Sequence, residues 1–437
     1  MELFALDRDV RRVALSWRDA LAKIENGDDV VSPFEALRHA SSRKTVQALV
    51  ELKPSILDRP LRDALAYWVS HLTVERVLFE RTKDLGEALL EKKLILREGD
   101  RAEEHSLASA SHRLLVRPLR AWRDIGKAIV DRAVQLEGQA QEIEQGRNEA
   151  WKQIGIEAVV ERHRVADASL RAFAHTLLEK TESLARELLK KRAKAEDQEF
   201  DPYLVARDLA QGLRATQGWP QALSSRWMRG LFPHVGNDRG AFRVHEARNG
   251  ASFLRAFEKF GEAAVSQAKT TMFASEISPF DLERKTMGAV FGMLPARATF
   301  LRRTLDLGSD AAIEQARELG IALLFELRNR ALVLLAHFGE ALHMFTEASR
   351  EETSALYRVS SALGTQAREK LVGAPFALDF ESQLMERFDE DWFKNPRLVT
   401  LLRDPVTSGI LLRGELEETS ATTSASRIAE AFERSLA

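Results

Sequence analysis

The sequence predicts an all-α fold with at most one short β element, near residues 230–250. Three observations carry that expectation. Apolar residues recur at spacings of three and four along most of the chain, the period of a half-buried helix. Prolines number only 12 in 437 residues, so long segments have nothing to break a helix. Glycines crowd between Gly230 and Gly250, where Ala241-Phe-Arg-Val-His245 alternates and a loop with one short strand or hairpin is expected.

The elements follow in order. A first helix is expected from near Asp7 through Val10, Val13, Leu15, Trp17 and Leu21 to Asn26-Gly27. Ser32-Pro33-Phe34-Glu35 has the form of a capped helix start, with serine as cap and glutamate three residues on. Pro54 and Pro60 precede a helix carrying Leu61, Ala64, Trp68, Leu72, Val74, Val77 and Leu78. Residues 98–111 read as a polar connection. A helix follows from about His112 past Trp122 to Leu136, and residues 148–196 read as one or two long helices. Ser278-Pro279-Phe280-Asp281 introduces a helix through Met287, Val290 and Phe291, and a long helix is expected over 309–348. Gly373-Ala-Pro375 reads as a break, and the serine- and threonine-rich stretch 417–426 as an exposed linker.

Composition bounds function. Hydrophobic residues make up 45% and charged residues 30%, as in soluble globular proteins, and the length allows a large core. A net charge of −2 gives no electrostatic reason to expect nucleic acid or an anionic membrane as partner. The absence of cysteine excludes disulfides, thiolate metal sites and cysteine nucleophiles. The N-terminal residues carry acidic groups and no apolar run of signal-peptide length, and the apolar stretch around Ala331–Ala336 is too short to span a bilayer. A cytoplasmic protein is expected.

The stretch with most to say about chemistry is Gly250-Ala-Ser-Phe-Leu-Arg-Ala-Phe-Glu-Lys-Phe-Gly-Glu-Ala-Ala264. Phe253, Leu254, Phe257, Phe260 and Ala264 mark one buried helix face. Glu258 and Glu262 project from the same side, one turn apart, and would repel each other unless cations pair with them.

Glu258-Lys-Phe-Gly-Glu262-Ala resembles the His-Glu-x-Gly-His-Ala helix of the thimet oligopeptidase/oligoendopeptidase family of zinc metallopeptidases. Asp281-Leu-Glu-Arg-Lys-Thr-Met-Gly-Ala-Val-Phe-Gly-Met-Leu294, followed by Phe300-Leu-Arg-Arg-Thr-Leu305, resembles that family's second metal helix. Ala322-Leu-Leu-Phe-Glu-Leu327 and the run Glu381 to Pro396 are also similar, and the match is best over about residues 238–413. The resemblance implies two helical lobes, 1–200 and 201–437, around a central cleft.

It also implies a lost metal site. Glu258 and Glu262 stand at the two histidine positions, Lys259 at the catalytic base and Lys285 at the third ligand. A protonated lysine has no lone pair with which to take a proton from water, and a cation at the third ligand opposes zinc. The stretch 371–380, where the family places tyrosines, has none. Zinc is expected to be absent, with Lys285 supplying the positive charge it once supplied.

The expected function is therefore a catalytically inactive metallopeptidase homologue that binds a peptide or protein partner. One alternative is an active metallopeptidase with unorthodox ligands, Glu258, Glu262 and a cleft histidine, His234 or His245. Carboxylates suit magnesium, calcium or manganese better than zinc. Another is a structural helical scaffold or assembly subunit. His337-Phe-Gly-Glu-Ala-Leu-His343 resembles a scrambled zinc motif, but histidines six apart face different sides of a helix, and a core or surface role is the simpler reading.

Overall fold

A computed structural model describes residues 2–26, 28–53, 59–98, 101–107, 122–155, 166–195, 250–268, 282–338, 340, 355, 359, 371–398, 401 and 416–436. Within them the chain is mostly helical. The helices are α1 (Leu3–Asn26), α2 (Arg43–Glu51), α3 (Arg59–Leu90), α4 (Trp122–Ile154), α5 (Asp167–Ala195), α6 (Gly250–Ala268), α7 (Leu282–Met293), α8 (Ala298–Leu305), α9 (Ser309–His337), α10 (Ala374–Phe388) and α11 (Glu418–Leu436). Among the described residues no helix is long and apolar enough to cross a membrane.

Three expectations are corrected. The polar connection at 98–111 overlaps an antiparallel hairpin, β1 (Leu94–Glu98) with β2 (Arg101–His105). Its register pairs Glu98 with Arg101 and Leu94 with His105. Leu94 and Leu96 are buried while Ile95 between them is 61% exposed, the two-residue alternation of a strand with one wet face. The β element expected near 230–250 lies outside the described residues. The helix expected from Ser32 begins instead at Arg43. Its cap is Ser42, whose hydroxyl accepts from the backbone N–H of Thr45 at 3.3 Å.

The third correction is at the C-terminus. Residues 418–426 are the first turns of α11 and are not an exposed linker. Serine and threonine are poor helix formers, but packing overrides propensity here. Ala421, Ala425, Ile428 and Phe432 recur at helical spacing and are buried, and small residues let α11 lie close on α5 and α9. The Ser169 hydroxyl of α5 donates to the Leu416 carbonyl just ahead of α11.

The buried side chains form two clusters. The smaller is built from α1, α2 and α3 as far as Phe79, around Val10, Trp17, Phe34, Leu49 and Trp68, with Trp151 and Ile154 packed against it. The larger runs from Leu85 to Leu436 and joins Phe173 of α5 to Phe257 of α6 and Leu327 of α9, on both sides of residue 200. Buried arginines cross-link the helices. Arg147 of α4 reaches Glu75 of α3 at 3.3 Å. Arg328 of α9, 1% exposed, donates to the Leu178 carbonyl, the Thr181 hydroxyl and Glu182 of α5 at 2.8, 2.7 and 2.6 Å.

Candidate functional site

The site is positioned by the crossing of α6, α7 and α9. Phe253 and Phe257 of α6 are fully buried, and Phe257 meets Phe300 of α8 edge to face at 5.6 Å between ring centres. Phe260 packs likewise on Phe291 of α7. Three glycines let α6 and α7 approach closely. A methyl group on Gly261 would meet the Met287 carbonyl oxygen at 2.6 Å, and one on Gly288 would meet Glu262 Cγ at 2.8 Å and the Glu258 carbonyl at 3.2 Å. On Gly292 it would lie 3.4 Å from Glu258 Cβ. The stems of both glutamates therefore lie on the α7 backbone, with their carboxylates held at the helix junction.

Each carboxylate meets its own cations. The Arg330 guanidinium of α9 takes Glu258 in a two-pronged grip, with Nη1 and Nη2 donating at 2.8 and 2.5 Å. Arg330 Nε donates to Glu326 at 3.2 Å, and Glu326 in turn accepts from Arg255 Nε and Nη2 at 3.0 and 2.7 Å. Glu262 accepts from Arg284 Nη1 at 2.8 Å and from Lys285 Nζ at 2.7 Å. The side chains are largely removed from solvent, at 17% for both glutamates, 12% for Arg284 and Lys285 and 10% for Arg330.

Burial alone would push the Arg330 guanidinium toward losing its proton, but Glu258 and then Glu326 more than reverse this, and its pKa is raised. Arg255 is raised as well, mainly by Glu326. Four basic side chains, Arg255, Arg284, Lys285 and Arg330, face three carboxylates, Glu258, Glu262 and Glu326, an excess of one positive charge in these pairs. Such a surrounding repels a divalent cation and ties helices together.

The residues singled out from the sequence divide accordingly. Glu258, Glu262 and Lys285 come together, with Lys285 on Glu262. Lys259 is on the exposed side of α6 and takes no part in these pairs. His234 and His245 lie outside the described residues, as does His343. Glu340 pairs with His175 of α5 at 2.6 Å and lies 3.6 Å from Arg171. Sequence reasoning missed Arg255, Arg284, Glu326 and Arg330. The Glu326–Arg330 spacing of four was a visible signal of a helix-surface pair.

No family model, curated protein or solved structure matches the chain. Among the described residues no group of three or more histidine, aspartate or glutamate side chains is arranged to hold a metal ion.

Proposed function

We propose that this chain is a catalytically inactive homologue of the oligoendopeptidase-type metallopeptidases that binds a peptide or protein partner. One observation carries the reading. Basic side chains stand against Glu258 and Glu262 at the positions where the resemblance puts zinc ligands. A carboxylate gripped on both oxygens by a guanidinium has to shed that partner before it can coordinate a metal. The partner left behind would be an unpaired, largely buried cation, which is strongly unfavourable.

The same filling favours a partner bound on the outer surface over a peptide laid beside Glu258. An active enzyme using Glu258, Glu262 and His234 or His245 would have to break both sets of ion pairs first. The test is hydrolysis of a mixed fluorogenic peptide library by purified protein supplied with zinc or manganese. Turnover no faster than buffer is expected. Turnover that vanishes in the Glu258→Gln/Glu262→Gln double variant would overturn the proposal.

A further inference from the structure

A groove of about 350 Å³ lies between α10 and α11, and none of the Glu258–Glu262 network lines it. Its volume is near the low end of the roughly 300–1,000 Å³ typical of small-molecule sites. α10 contributes Leu378, Glu381 and Met385, and α11 contributes Arg427, Glu430 and Arg434. Each set falls on one helix face at spacings of three, four and seven. Arg297, just before α8, completes the wall.

The groove carries both signs of charge on an apolar ground. Glu381 is 1% exposed. Its Oε2 accepts from Arg297, while Oε1 has no hydrogen bond of normal geometry, although the Trp392 indole helps to stabilise the carboxylate. Arg434 uses Nε on the Glu430 carbonyl of its own helix at 3.3 Å, and its two terminal nitrogens have no hydrogen bond among the described residues. Arg427 pairs with Asp379 where both are about half exposed, a contact of little energetic weight that a ligand can replace.

We infer that this groove binds one small zwitterionic ligand of amino-acid size. Its carboxylate lies on Arg434, with Arg427 beside it. Its ammonium faces the Glu381 carboxylate, and its side chain rests on Leu378 and Met385. An anion alone would meet Glu381 and Glu430, and a cation alone would meet three arginines. A ligand with both charges at amino-acid separation satisfies both sets. The apolar wall selects an aliphatic side chain.

The experiment is isothermal titration calorimetry of the full chain with three probes of matched carbon skeleton: L-leucine, 4-methylpentanoate and 3-methylbutylamine. Leucine is expected to bind, and each single-charge probe about tenfold or more weakly, the loss of one charge-assisted hydrogen bond. Arg434 is exposed, so Arg434→Ala is expected to keep the wild-type melting temperature while weakening leucine by a similar factor. Glu381→Gln is expected to weaken leucine and leave 4-methylpentanoate unchanged. No heat with leucine at millimolar concentration, equal binding of 4-methylpentanoate, or unchanged leucine binding in Arg434→Ala would each overturn the inference. None of these results depends on whether the Glu258–Glu262 junction is catalytic.

Discussion

Arg330 is the residue whose removal says most about the junction, because Glu258 and Glu326 both rely on it. In Arg330→Met the apolar stem is largely kept and the charge is lost, leaving Glu258 without its grip and close to Glu326. Breaking a buried pair from one side costs roughly 3–5 kcal/mol, and the low end applies to groups with some solvent access. Urea denaturation should show a loss of about 3 kcal/mol, and adding Glu258→Gln should restore part of it. A loss below about 0.5 kcal/mol would mean the junction is held by packing alone. A second prediction concerns Glu381. Burial raises its carboxyl pKa, with Arg297 and Trp392 acting the other way. The native state thus holds this proton to higher pH than the unfolded chain, whose glutamates titrate near about 4.3. Stability from this group is fully present below that pH and is lost as pH rises through the raised native pKa. The melting temperature of the wild type minus that of Glu381→Gln should fall as pH rises above the ordinary glutamate range and through the raised native pKa. A difference that is flat or grows with pH would contradict this assignment. The partners of Glu258 were hidden in the sequence for a plain reason. Arg330 is 72 residues away, and no local spacing on α6 points to it.

At the scale of elements, the α6–α7 crossing depends on backbone approach. Gly261→Ala would drive a methyl group against the Met287 carbonyl and Phe291 Cβ, neither of which can swing aside. A cost of about 1–3 kcal/mol is expected, as for other overpacked positions. Gly138, exposed in the interior of α4 with nothing within 4 Å of its added methyl, makes the control. Gly138→Ala should stabilise by about 0.5–1 kcal/mol through backbone entropy. Equal effects at the two sites would remove the close-approach account. Long helices such as α6 were legible because Phe253, Leu254, Phe257, Phe260 and Ala264 obey one period. The start of α11 was not, because serine and threonine signal a loop locally, whereas Ala421 and Ala425 are buried in a helix that packs on the distant α5 and α9. The hairpin was overlooked because Glu103 and Glu104 of β2 are both exposed and have the composition of a connection.

For the whole molecule, helical class was readable from periodicity, whereas the division of the core into two clusters depends on which helices meet in space. The smaller cluster ends near Phe79, about two-thirds of the way along α3, where no change of composition marks it. The central proposal is that paired charges fill the α6–α7–α9 junction and that it binds no metal. It is tested most directly by elemental mass spectrometry of the purified, untagged protein after dialysis against low-micromolar zinc and manganese. Ion pairs as described predict less than about a tenth of an equivalent of any metal, because Glu258 and Glu262 would each first have to leave a buried cation. Near-stoichiometric metal that disappears when Glu258 and Glu262 are both changed to glutamine would contradict the account.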